Sequence, residues 1–323
     1  MKITTNKNSL CSVKGKETTF EPPGLSAQFF IKRFILVCNP IVQLYRMKKY
    51  FVVTVIALAA FAQAGMAQKP RKLLKLWETD TIIKVPESVL WDGTRSKLFV
   101  SLIDGAPWEA DGKGGVAEMS LDGTTVNQEW VTGLNCPKGM GIDGNKLYVA
   151  DLTDVVVINI RKASIEKRIK PTGAQQLNDI TVTPKGVVFV SDSKAGTIYK
   201  IEDDKAALYL DSLPGVNGLR YLNNELLVAA GKNFIRVNEQ KKITKIAELP
   251  MGGDGVEPIS VSEWLVSTWA GMIFCVQPDG TFQTLLDTRD AKKNTADIGY
   301  DPYTKTIYVP TFFAKTVAAY QLQ

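Results

Sequence analysis

Apolar residues along this chain recur at alternate positions in short runs, and turn residues separate the runs from about residue 86 to the end. The runs fall into six similar units. Each opens with small and polar residues, enters an apolar strand, turns, and continues into a second strand. The unit openings are Pro86-Glu87-Ser88-Val89-Leu90-Trp91, Pro137-Lys138-Gly139-Met140, Leu177-Asn178-Asp179-Ile180, Val216-Asn217-Gly218-Leu219, Gly253-Asp254-Gly255-Val256 and Thr295-Ala296-Asp297-Ile298. Anchored on Phe99, Tyr148, Phe189, Leu227, Leu265 and Tyr308 of the second strands, the spacings are 49, 41, 38, 38 and 43. A period near 40 built from short alternating strands predicts propeller blades, because solenoids of similar period need amphipathic helices and none is visible.

Third and fourth strands follow in most units, for example 155–160 and 165–169. The expected fold is therefore all-β: a six-bladed β-propeller with four strands per blade. The sixth unit ends after its third strand, 316–322, and a lone strand at 72–79 precedes the first unit. That lone strand is expected to become the outer strand of blade six and close the ring. The long first spacing reflects an insertion, 102–115, between the second and third strands of blade one.

Residues 68–323 make up the propeller. Ahead of them, Met47-Lys48-Lys49-Tyr50, an apolar run from Phe51 to Ala62 and Ala64-Gly65-Met66-Ala67 form the three parts of a secretory signal peptide, 47–67. Twelve apolar residues are too few to span a bilayer core of about 30 Å, so no stable membrane anchor is expected. A periplasmic or secreted protein is expected, with cleavage after Ala67. Residues 1–46 read as a non-native or disordered extension ahead of Met47.

The leader also explains the charge. The chain carries a formal +6, but residues 1–67 contribute +7 and the remainder sits at −1. No basic surface for nucleic acid is left in the body. A monomer acting on a small molecule is expected. The body keeps two cysteines, Cys136 and Cys275, which read as separate buried thiols.

Composition then limits the chemistry, because the chain contains no histidine. Ser-His-Asp and Cys-His relays and His-rich zinc sites are excluded. The first inner-strand positions of the six blades converge on one mouth of a propeller tunnel. They read Glu87, Lys138, Asn178, Asn217, Asp254 and Asp297 or its neighbours. Each Asn-Asp, Asn-Gly or Asp-Gly pair is singly an ordinary turn former. Together with Glu87 at equivalent positions, they make a ring of oxygen donors suited to a hard divalent cation, Ca²⁺ first, with Zn²⁺, Mn²⁺ or Mg²⁺ as alternatives. Acids packed around an axis without a cation repel one another. Gly139-x-Gly141-x-x-Gly144 matches a dinucleotide motif, but it opens no helix and the blade repeat accounts for it. Trp108, Trp269, Phe312 and Phe313 are candidates for an apolar wall. The pattern does not fix their face, and blade packing is the alternative.

These motifs resemble the senescence marker protein/gluconolactonase group, which includes regucalcin and is related to diisopropylfluorophosphatase. The resemblance rests on Glu87 in Pro86-Glu87-Ser88-Val89-Leu90-Trp91, on Asn178-Asp179-Ile180, on Asn217-Gly218-Leu219 and on Asp254-Gly255-Val256, four motifs in the right blade order. It implies a six-bladed propeller with Glu87, Asn217 and Asp254 as metal ligands and Asn178 as a closer or water-mediated contact. The departures are Ser88-Val89 in place of Gly-Pro, Lys138 in blade two, and the character of the blade-one insertion. The implied activity is metal-dependent hydrolysis of lactones or small esters. Asp254 would act as base, and Lys138, Asn178 and Trp108 would contact substrate. A phosphotriesterase-like activity would use the same ligands. Related lactonases that use a histidine base have no counterpart here. The competing expectation is a non-catalytic exported propeller that binds a ligand or partner, with a structural cation.

Overall fold

The computed structural model describes residues 70–80 and 82–323. The extension, signal peptide and cleavage point expected at 1–67 lie outside these residues. Among the described residues six four-stranded antiparallel sheets follow one another, and the one helical element is a single 3-10 turn, Phe312–Ala314. The chain is a six-bladed β-propeller. Blade one runs Pro86–Asp92, Lys97–Leu102, Gly114–Ser120 and Val126–Leu134, with the insertion between its second and third strands. The inner strands of blades two to six are Pro137–Asp143, Leu177–Val182, Val216–Leu222, Val256–Pro258 and Gly299–Asp301. The sixth sheet combines both ends of the described chain, in the order Leu73–Glu78, Val317–Leu322, Thr306–Pro310, Gly299–Asp301.

The period-two pattern explains how the blades pack. Successive side chains of a strand face opposite sides of its sheet. In blade one, Leu98 and Val100 therefore pack with Tyr308, Val317 and Ala319 of blade six. Phe99 points the other way, into a cluster with Met140, Leu147 and Val149 of blade two. The same alternation fills the gaps between blades two and three, three and four, four and five, and five and six. The core is thus six wedges between sheets. A fully buried ring such as Phe99 contributes about 1.5–3 kcal/mol.

Tight hairpins keep the strands in register. Asn223 and Asn224 (φ 50° and 64°) link the paired residues Leu222 and Glu225. Two consecutive left-handed residues give the turn whose twist matches the strands, and asparagine tolerates that region. Buried aspartates hold the loops that lead into inner strands. Asp151 accepts hydrogen bonds from the backbone N–H groups of Asn135 (2.9 Å) and Cys136 (2.8 Å) just ahead of blade two. Asp192 does the same for Gln175 and Gln176 ahead of blade three. Among the described residues no helix is long and apolar enough to cross a membrane.

Candidate functional site at one mouth of the tunnel

Four of the six inner strands break their ladder at the same place. The register shifts between Pro86 and Val89, Pro137 and Met140, Leu177 and Ile180, and Val216 and Leu219. Each interruption contains two residues, and a bulge of this kind re-aims side chains. In blade five the corresponding pair, Asp254-Gly255, lies just ahead of the inner strand. Hydroxyls on the second strands meet backbone groups that the break frees. Ser101, Ser191 and Ser267 accept from the N–H of Ser88, Asp179 and Gly255 at 2.8–2.9 Å.

The first member of each pair faces a cavity of about 330 Å³. Glu87, Lys138, Asn178, Asn217 and Asp254 line it together with Pro107, Trp108, Trp269, Phe312 and Phe313. The residues expected to hold a metal or contact substrate, Glu87, Lys138, Asn178, Asn217, Asp254 and Trp108, are therefore brought to one place, and Asp297 is not among them. Lys138 Nζ lies 3.5 Å from Glu87 Oε1, with both side chains buried. Glu87 Oε2 is buried and has no hydrogen-bond partner among the described residues. Burial pushes the Glu87 carboxyl up, and the Lys138 ammonium pulls it part of the way back. Asp254 Oδ1 accepts from Asn217 Nδ2 at 2.7 Å. Its carboxyl is held well above the ordinary range by burial first and then by Glu87 and Asp297, against Lys138 and the Asn217 amide. Asn178 Nδ2 donates to Ser193 Oγ at 2.9 Å, and that hydroxyl donates to the Val216 carbonyl at 2.7 Å. Asn178 is thereby fixed across the boundary between blades three and four.

The second member of each pair belongs to a lower tier inside the tunnel, where Ser88, Asp179 and Asp297 line a narrow space. Both Asp179 oxygens are committed to backbone. Oδ1 accepts from Ile180 N and Oδ2 from Leu219 N, each at 2.6 Å. Asp297 Oδ2 accepts from Ser88 Oγ at 2.6 Å. Glycine makes room for these carboxylates: a Cβ on Gly139 would lie 2.2 Å from Asp179 Oδ1, and one on Gly255 2.4 Å from Asp297 Oδ1. The blade repeat predicts Asp297 or a neighbour as the sixth ring member. Asp297 instead occupies the lower tier, because its backbone pairs in parallel with Ser88 rather than Glu87.

The aromatic residues whose face the pattern left open share the mouth with the upper tier. Lys138 Nζ sits 4.4 Å from the Trp108 ring centroid and 5.6 Å from that of Phe312. The Trp108 backbone N–H donates to Cys136 Sγ at 3.2 Å. Phe312 is buried among Ile103, Cys136 and Ala296. Trp269, Phe312 and Phe313 meet edge to face in pairs, with centroids 4.7–5.9 Å apart. Asn294 ties two of them together, donating to the Trp269 carbonyl (2.8 Å) and accepting from Phe313 N (3.4 Å). Cys136 and Cys275 are both buried and free.

On the other side of the lower tier, Arg220 Nη1 lies 3.1 Å from Glu257 Oε1. Burial raises the Glu257 carboxyl to about 7, with Arg220 opposing. A wider depression beyond them, about 780 Å³, is lined mainly by strand ends and turns, including Trp91, Asp143 and Tyr221.

No family model and no curated protein matches the chain. Solved structures do. A gluconolactonase from Xanthomonas campestris superposes with a TM-score of 0.60 at 15% identity, over 78% of this chain and 89% of that one. The chain shares the fold of solved gluconolactonases. A luciferin-regenerating enzyme matches with a TM-score of 0.58 at 11% identity, over 78% and 95% of the two chains. A streptogramin B lyase matches at 0.57 and 12%, over 78% and 98%. Likeness at these identities is likeness of fold.

Proposed function

We propose that this chain is an exported hydrolase of lactones or related small esters that works with a divalent cation. One observation carries the reading. A buried carboxylate oxygen without a partner, Glu87 Oε2, shares a cavity with a second buried acid, Asp254, and with the amides of Asn178 and Asn217. These donors fit a hard cation: Glu87, Asn217 and Asp254 would hold it, Ca²⁺ first, with Asn178 at its edge. When bound, the cation would polarise the acyl carbonyl and neutralise the acids.

The chain's own groups supply the rest. Asp254 faces the cavity beside the site of attack, so its carboxylate takes a proton from an attacking water. The water oxygen bonds to the acyl carbon, the ring C–O bond breaks, and the proton passes to the departing alkoxide. Lys138 donates to the acyl oxygen from its seat beside Trp108. A virginiamycin B lyase of the same fold is inactivated by replacing a histidine. This chain has none, which favours a carboxylate route over a lyase of that type.

A second reading is favoured by the ion pair itself. Lys138 already gives Glu87 a cation, as expected of a propeller that binds a ligand without chemistry. We further propose that pairing of Leu73–Glu78 with Val317–Leu322 is the clasp that closes the ring. Purified protein assayed on a panel of lactones with and without Ca²⁺, Zn²⁺ or Mn²⁺, beside Asp254→Ala, separates the readings. The hydrolase reading requires cation-dependent turnover that the substitution abolishes. No turnover on any lactone, ester or phosphotriester would leave the binding reading.

A further inference from the structure

We propose that the ligand of this cavity is an amphiphilic acyl compound, with a polar acyl head and an apolar aryl or alkyl body, rather than a polyhydroxylated sugar lactone. This rests on the hydrolase reading and names its substrate class. The cavity is divided by chemistry. Its floor carries Glu87, Lys138, Asn178, Asn217 and Asp254, and its walls are Pro107, Trp108, Trp269, Phe312 and Phe313. Those walls offer rings and no hydroxyl or amide side chain. Each floor amide has already committed its Nδ2, Asn217 to Asp254 and Asn178 to Ser193. A substrate with a hydroxyl on each ring carbon would lay several of them against aromatic faces with no partner, which is unfavourable. An apolar body has the opposite preference.

Two further observations point the same way. Trp269 and Phe313 remain 46% and 57% exposed, packed against each other and against Phe312. Blade packing does not explain rings left in that position. Left-handed backbone at large apolar residues falls at the wall and beside it, at Val85 and Leu152, which pack against the Phe312 cluster. Trp108 and Phe312 adopt left-handed conformations (φ 74° and 49°), outliers for bulky side chains, whereas Asn223, Asn224, Asp203 and Asp204 use that region in ordinary hairpin turns. The strained pair are the two rings that flank the Lys138 ammonium. The head therefore meets Lys138 and Asp254, and the body lies outward against Trp269 and Phe313. A volume of about 330 Å³ is at the small end for ligand pockets, suiting one or two rings.

The test uses the full chain and two δ-lactones that differ in their substituents, 6-phenyl-δ-valerolactone and δ-gluconolactone. The corresponding phenyl lactam serves as an unhydrolysed probe of binding by calorimetry. Trp269→Ser and Phe313→Ser change half-exposed rings and spare the buried core. The expected result is higher kcat/KM on the phenyl lactone, with a loss of about tenfold in each variant on that substrate and in lactam affinity that exceeds any loss on δ-gluconolactone. Preference for δ-gluconolactone, or a phenyl preference that both variants leave intact, overturns the inference while the hydrolase reading stands. Lactam binding weakened by both variants, with no lactone turned over, upholds the ligand class and overturns the hydrolase reading. Neither turnover nor lactam binding overturns both.

Discussion

Two tiers of buried acids occupy adjacent positions of the blade repeat, Glu87 and Asp254 in one and Asp179 and Asp297 in the other, and they are built for different work. In the lower tier Asp179 spends both oxygens on backbone N–H groups and joins blade three to blade four. Asp297 is tied to Ser88. In the upper tier the Asp254 carboxylate accepts from the Asn217 amide, and Glu87 keeps one oxygen without a partner among the described residues, against a cavity. Burial raises the carboxyls of both tiers. Burial and charge therefore do not distinguish the site. What distinguishes Asp179 from Glu87 is where the hydrogen bonds go: an acid with both oxygens satisfied holds a fold together, and one with an unsatisfied oxygen beside open space is available for a ligand.

The largest expected effect comes from the upper tier's internal cation. Lys138→Met leaves Glu87 buried with neither oxygen matched to a charge. Denaturant unfolding should show a loss of about 3 kcal/mol at pH 8. The loss should shrink toward pH 5, because the carboxyl, pushed up further without Lys138, folds in protonated. An equal loss at both values would mean that the ion pair does not set the tier's electrostatics.

On the other side of the lower tier Glu257 gives a pH signature of similar size. Its folded value of about 7 lies above the ordinary 4.5. As pH rises through that window the unfolded chain releases a proton that the folded chain retains. Stability from this group therefore falls between about 4.5 and 7 and is flat outside it, by about 3 kcal/mol at most. Glu257→Gln should remove that slope in unfolding experiments across the window.

Gly139→Ala probes the seam between the tiers. Its methyl would meet Asp179 Oδ1 at 2.2 Å, and the loss should be about 1–3 kcal/mol by denaturant midpoint. A neutral result would mean that the lower tier is looser than its hydrogen bonds imply.

The smallest effect is expected at the strand pairing of blade six. Glu78 accepts from Lys293, Lys75 and Thr316 at 2.5–2.6 Å. Burial opposes its ionisation, but those partners hold its carboxyl at about 2. This contribution is present above the ordinary 4.5 and is lost as pH falls toward 2. Glu78→Gln should cost on the order of 1 kcal/mol near neutrality after solvent screening, detectable as earlier proteolysis at the amino-terminal strand.

The repeat made the architecture legible. Leu98, Phe99 and Val100 alternate along one strand, and the structure places them in the wedges that alternation requires. The equivalent blade positions also made the upper tier legible, and Glu87, Lys138, Asn178, Asn217 and Asp254 do converge. Two things were hidden. The bulge that sends Asn178 to the cavity and Asp179 into the tunnel is a property of strand pairing, so neighbouring residues of the same character could not be told apart. The face of the aromatic wall depends on left-handed turns at Trp108 and Phe312, which residue pattern alone does not announce for bulky side chains.

The most direct test compares Asp254→Asn with Asp179→Asn, measuring lactone turnover and urea unfolding on each. The account predicts that Asp254→Asn loses turnover by about 10²–10⁴-fold with stability kept, while Asp179→Asn loses stability by about 2 kcal/mol and keeps turnover once folded. Turnover that survives Asp254→Asn and disappears in a fully folded Asp179→Asn protein would contradict it.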